Sequence, residues 1–283
     1  MSATDVLLLI LVGLVAGGSG GLLGIGGSVV MIPGMVFLFG SEQQLGREPQ
    51  HLYQAAAMIV NFFVMLPAVW QHWRAKAPLR SVTRWMVPST IVGIIFGVYL
   101  SEASVFHGNG QGYLQIMFAV FLFYVVAYNV YRLRSSVRLA PMDESRAAKL
   151  SKALIVGVVG LPTGILGGLL GIGGGLFAVP AQQIALKMPL QKAIANAAGT
   201  IVWSSVIGAI VKNYHLADHG FRMRDSAVLA LCLIPSAMLA SWYTSAKVHR
   251  WPVGLIRVVF IVMLAYCAGQ MLLKGWAQVH AGG

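Results

Sequence analysis

Hydrophobic positions fall into eight blocks separated by short polar stretches, at about 5–40, 52–72, 84–101, 112–132, 152–187, 190–212, 225–245 and 253–273. Six of them match the ~20 apolar residues that a helix needs to cross ~30 Å of hydrocarbon. The first and fifth blocks are each about 36 residues long. As one helix, such a block would reach about 54 Å at about 1.5 Å per residue. That overshoots a bilayer, so both long runs must break or turn back.

Each long run carries the same word near its middle. "GGLLGIGG" stands at residues 20–27 and again at 167–174, an offset of 147. Glycine costs roughly 1 kcal/mol per helix position relative to alanine, so five glycines in eight residues mark a place where the helix must stop. The match extends to "GGLLGIGGSVVMIP" (20–33) against "GGLLGIGGGLFAVP" (167–180), with nine identities in fourteen. Further on, "VPS" (87–89) pairs with "IPS" (234–236), and "GYLQIMFAVFLFY" (112–124) with "GLIRVVFIVMLAY" (254–266). The pattern predicts an all-α integral membrane protein of two homologous halves, each with four or five membrane elements and opened by a broken or re-entrant Gly-rich helix. The halves are residues 1–132 and 152–283, joined by a basic linker at 133–151. If each long run is a hairpin, every half has five elements and the second is inverted; if each is one broken span, the halves are parallel. Two arms of about 17 residues favour the hairpin, and with it the inverted repeat.

Composition changes the picture little. The chain is 58% hydrophobic and 10% charged, with a mean hydropathy of +0.77; soluble domains carry about 25% charged residues. The net charge of +12 is concentrated, with six of the twenty Lys and Arg between Arg132 and Lys152. Basic residues flanking spans follow the positive-inside bias, so no nucleic-acid partner is needed and the linker is expected in the cytoplasm. Cys232 and Cys267 lie within apolar runs without metal-ligand spacing. No metal or other cofactor is expected.

The candidate chemistry sits at the breaks. Irregular backbone at membrane depth is tolerated only where protein buries it or water lines it. A break frees N–H groups at the start of the next helix, where the dipole is positive and anions bind. Gly24, Gly26 and Gly27, with Gly171, Gly173, Gly174 and Gly175, would let an anion approach the backbone, and Ser28 adds a hydroxyl in the first copy. In the following runs, Asn61 stands in one half and Asn196, Thr200 and Ser204 in the other. The last three share a helix face at i, i+4, i+8 and could form a second wall. Arg257, about one turn into the last run, either snorkels to the interface or attracts an anion.

None of the eight acidic residues lies in the interior of a run, so a carboxylate-based cation carrier lacks its intramembrane group. An enzyme is equally unsupported, for want of acid–base residues. The competing reading is that the glycines serve only helix packing through small-xxx-small contacts such as Gly13/Gly17/Gly21 and Gly93/Gly97, in a membrane scaffold or assembly protein.

Two copies of G-x-x-G-x-G-G-[GS] followed by an apolar stretch and Pro, in halves of about 140 residues, resemble the TauE/SafE family of sulfite exporters and toluene-sulfonate uptake permeases. The motif carries over onto Gly21, Gly24, Gly26, Gly27 and Pro33, and onto Gly168, Gly171, Gly173, Gly174 and Pro180. "ANAAGT" (195–200) is similar to a small-residue stretch common in the family, whereas the first half has "AAMIVN" (56–61), where only Asn61 could replace the missing hydroxyl. The resemblance implies a permease in the bacterial plasma (inner) membrane for a small sulfur-containing anion such as sulfite, sulfoacetate or another organosulfonate. Its partners would be that solute and the lipid bilayer, with room for a homo-oligomer.

Overall fold

A computed structural model describes residues 3–39, 49–103, 109–134, 142–248 and 250–281. Among them every regular element is helical: α1 (Ala3–Leu23), α2 (Ser28–Phe39), α3 (Pro49–Arg74), α4 (Arg80–Ser101), α5 (Asn109–Arg134) and the short α6 (Glu144–Ala148). A π-helical stretch (Leu154–Gly160) then leads into α7 (Leu161–Leu170), followed by α8 (Gly175–Ala185), α9 (Leu190–Tyr214), α10 (Met223–Lys247) and α11 (Val253–Ala281). A 3₁₀ turn (His215–His219) extends α9. Six described helical segments are long and apolar enough to cross a membrane: Ala3–Leu23, His51–Arg74, Arg80–Ser101, Leu190–His219, Met223–Lys247 and Gly254–Ala277. Residues 135–141 of the basic linker lie outside the described residues.

The chain forms two compact units, and each takes residues from both sequence halves. The larger comprises residues 1–98 and 141–250, the smaller 99–140 and 251–283. In the larger, α3 packs against α9 and α10, while α1 lies along α10. The apolar centre includes Leu9, Met31, Met35, Val60, Val64, Ile201 and Leu233. Small residues let the helices approach: a Cβ on Gly17 would strike the Ala237 backbone, and one on Gly97 the Ile165 backbone. So α1 meets α10 and α4 meets α7 through glycine faces, the packing that bilayers reward because lipid cannot supply a hydrophobic drive.

Each long run does turn back. A Cβ on Gly27 would lie 3.2 Å from the Ala16 carbonyl oxygen and one on Gly34 2.8 Å from a Val12 methyl. As α2 advances, its neighbours on α1 therefore retreat. In the second copy α8 folds against α7 and the π-helical stretch. The arms are unequal, with 21 and 12 residues in the first copy and 17 (Leu154–Leu170) against 11 in the second. The expectation of two arms near 17 residues is met only by the outgoing arm of the second copy. The glycine word spans the end of the outgoing arm and the break, and the returning arm that follows is only about 18 Å of helix at most.

In the smaller unit α5 packs along α11. Buried Ala119, Leu122, Val125 and Asn129 on α5, and Ile256, Phe260, Leu264 and Cys267 on α11, recur every three or four residues. Each helix therefore has a single buried face.

Candidate solute site

The first break begins where α1 stops at Leu23. Gly24 and Gly26 take φ of +63° and +78°, a left-handed backbone that costs other residues roughly 1–2 kcal/mol. The chain then restarts at Ser28. The second break repeats the manoeuvre, with Gly171, Gly173 and Gly174 at φ of +70°, +69° and +81°. The Gly171 N–H donates to Gly168 O (3.3 Å) and the Ile172 N–H to Gly167 O (3.1 Å), closing α7 with the paired bonds of a glycine C-cap.

The two breaks touch reciprocally. The Ser28 hydroxyl donates to Ile172 O at 2.9 Å, so the start of α2 meets the second break. A Cβ on Gly175 would strike Ile25 O, so the start of α8 meets the first. These pairs stand at the same 147-residue offset, Ile25 to Ile172 and Ser28 to Gly175.

Asn61, midway along α3, lies between the breaks. Its Oδ1 accepts the Gly27 N–H at 2.8 Å and the Ser28 N–H at 3.1 Å. Its Nδ2 donates to Ser28 Oγ at 3.1 Å and more weakly to Ile172 O at 3.5 Å. A Cβ on Gly26 would lie 2.9 Å from Oδ1, and a Cβ on Gly173 2.9 Å from Nδ2. The equivalent glycines of the two words thus flank one carboxamide. From α9, the Ser204 hydroxyl donates to Gly173 O at 3.3 Å. Ser28, Asn61 and Ser204 are at most 1% exposed, so the cluster is closed to solvent.

The two helix starts differ. Asn61 occupies the amide pair of α2, and the bare N–H groups expected there are therefore already engaged. No side chain caps the start of α8. Around the second break two buried polar atoms have no hydrogen-bond partner among the described residues: Gln54 Oε1, whose side chain lies against Gly171, and Thr163 Oγ1, beside Gly174.

The expected polar strip on α9 divides by height. Asn196 Oδ1 accepts the Leu79 N–H at 2.8 Å and its Nδ2 donates to Gln182 Oε1 at 3.2 Å, which ties the starts of α4 and α9 to α8. The Thr200 hydroxyl donates to Asn196 O of its own helix. Only Ser204 reaches a break. Arg257 is half-buried on α11, in the smaller unit. Sequence reasoning passed over Lys212, which is 1% exposed, and the stacked rings of His51 and His219, 3.6 Å apart. His51 and Lys212 fall at the ends of apolar runs and His219 in the polar stretch between two of them, where a polar residue reads as a helix terminus or a loop. The continuation of α9 as far as His219 was the missing signal.

The sequence pattern of the sulfite exporter TauE/SafE family matches residues 9–271. The chain belongs to that family. It is 27% identical to the probable membrane transporter protein MamO of Paramagnetospirillum magneticum, over 96% of this chain and 45% of MamO. With the probable membrane transporter protein YunE of Bacillus subtilis it shares 23% identity over 95% of this chain and 97% of YunE. With the probable membrane transporter protein MJ0441 of Methanocaldococcus jannaschii it shares 29% over 72% and 70%. The chain spans about half the length of the MamO proteins it matches. No solved structure matches it. Family and spans together make this TauE/SafE protein a multi-pass membrane protein of a transporter family, whose relatives are named as transporters and not as enzymes.

Proposed function

We propose that this protein carries a small sulfur-containing anion, such as sulfite, sulfoacetate or another organosulfonate, across the bacterial inner membrane. The solute would bind where the two glycine breaks meet. One observation carries the reading: the Gly27 and Ser28 N–H groups converge on a single oxygen at 2.8 and 3.1 Å, in the grip that a helix start offers an oxyanion. The depth fits, since Asn61 and Ser204 lie midway along α3 and α9. Gln54 Oε1 and Thr163 Oγ1 are groups that a polar solute or its water would satisfy, since an unpaired buried polar atom costs about 1–3 kcal/mol.

The same reading takes residues 1–132 and 152–283 as an inverted repeat with a cytoplasmic linker at 133–151. The reciprocal Ile25–Gly175 and Ile172–Ser28 approaches support it, as do the α1–α10 and α4–α7 glycine faces. Two of the break glycines then differ from the packing glycines: Gly17, Gly97, Gly24 and Gly175 meet neighbouring backbone, whereas Gly26 and Gly173 face a polar side chain. This division argues against a scaffold whose glycines only pack. The test is counterflow in proteoliposomes with sulfite, methanesulfonate, sulfate and chloride. Saturable flux of a sulfur oxyanion, with chloride poor, is expected; no flux of any anion by folded protein would leave the scaffold standing.

A further inference from the structure

We propose that Asn61 is the gate of this site. Its carboxamide oxygen holds the Gly27–Ser28 amide pair in the position that a solute oxygen takes, and the solute binds there only by displacing it. The inference rests on the anion reading above and adds a mechanism to it.

Asn61 caps the start of α2 from another helix, 34 residues along the chain. It therefore acts as a tethered stand-in for an oxyanion. The solute remakes both amide bonds, so what its binding must offset is the pair of donor bonds from Asn61 Nδ2, each worth only about 1 kcal/mol net. Asn61 is also the tie between the breaks. The carboxamide that accepts from Gly27 and Ser28 donates to Ser28 Oγ and to Ile172 O. Swinging it away frees the amide pair and loosens the junction of the two hairpins in one step, so solute arrival is coupled to opening. The glycines make the swing feasible, since Gly26 and Gly173 leave open the positions 2.9 Å from Oδ1 and Nδ2 where a Cβ would stand. A neutral amide suits this role. A carboxylate would grip the amide pair harder, repel the arriving anion and lose the donor toward Ile172 O.

The test separates affinity from turnover, with sulfite at pH 7.5 as the probe in proteoliposomes. Asn61→Ala leaves the amide pair uncontested, so the KM for sulfite falls by about tenfold. Maximal flux also falls, because nothing competes the solute off. Asn61→Asp keeps its fold and loses flux. A folded Asn61→Ala whose KM is unchanged or raised overturns the proposal. If Asn61→Ala does not fold, Asn61→Ser is read in the same way, and failure of both to fold overturns the gate by making Asn61 a strut. Wild-type protein that carries no anion instead overturns the anion reading, a result separable from any variant.

Discussion

The two glycine breaks share eight letters and most of their backbone, yet they are not the same site. Both turn on left-handed glycines, and each lays its isoleucine against the other's helix start. At the first, the amide pair of Gly27 and Ser28 is capped by Asn61. At the second, Gly175 stands where Ser28 does, no side chain caps α8, and the neighbouring Ser204 addresses the Gly173 carbonyl rather than an N–H. The duplication fixes a backbone shape. The chemistry comes from whichever side chain the adjoining helix presents, and α3 and α9 present different ones. On the proposed reading, two similar breaks would hold a one-sided seat.

The hardest test of that asymmetry is a methyl group on either side of Asn61. Gly26→Ala must accept φ of +78°, at a cost of roughly 1–2 kcal/mol. It also pushes Oδ1 off the amide pair and leaves its methyl in the seat. Gly173→Ala bears a comparable backbone cost but pushes on Nδ2, on the far side of the carboxamide. Flux in proteoliposomes should fall below detection for Gly26→Ala and several-fold for Gly173→Ala, with both proteins folded by gel filtration and thermal melt. Equal losses would mean that the breaks contribute alike, and the one-sided seat would be abandoned.

The overlong runs and the repeated octamer announced where the helices stop, because spare length and clustered glycine have few other uses in a membrane. Asn61 was also legible, as the one polar residue at its height in a half that lacks the hydroxyl of its counterpart. What Asn61 touches was not, since the partners lie 33 and 111 residues away. The strip Asn196, Thr200 and Ser204 shows the limit of periodicity, which fixes a face but not the neighbours met along it. Over two turns of α9 that face passes from the start of α4 to the second break.

The strip supplies the next test. Asn196→Ala removes the acceptor for the Leu79 N–H and should cost about 1 kcal/mol of stability, as lost helix caps do, with KM unchanged. Ser204→Ala removes a hydroxyl bond to the second break and should shift KM by a few-fold with little change in melting. Thr200→Ala should do neither. A large change in KM from Asn196→Ala would extend the site down α9 and blur the contrast between the two breaks.

The smallest effect lies in the polar linker, where helix starts are capped by charge. Glu144 accepts the Arg80 N–H at 3.0 Å and the Ser81 N–H at 2.6 Å, holding the linker to α4. Asp143 caps α6, and the Arg146 backbone N–H, followed by the Ser145 hydroxyl, draws its carboxyl below the usual 3.8. A carboxyl depressed on folding contributes its stability above the unfolded value and loses it as pH falls through the lower folded one. The Arg146 amide resonance of detergent-solubilised protein should therefore titrate with its midpoint below 3.8, and Asp143→Asn should abolish the step. Asp143 is fully exposed, so global stability should barely follow. The cap on α2 is a carboxamide, which no acid can protonate off its amides in this range. If the Gly27 and Ser28 resonances shifted along with Arg146, Asn61 would not be the group that holds them.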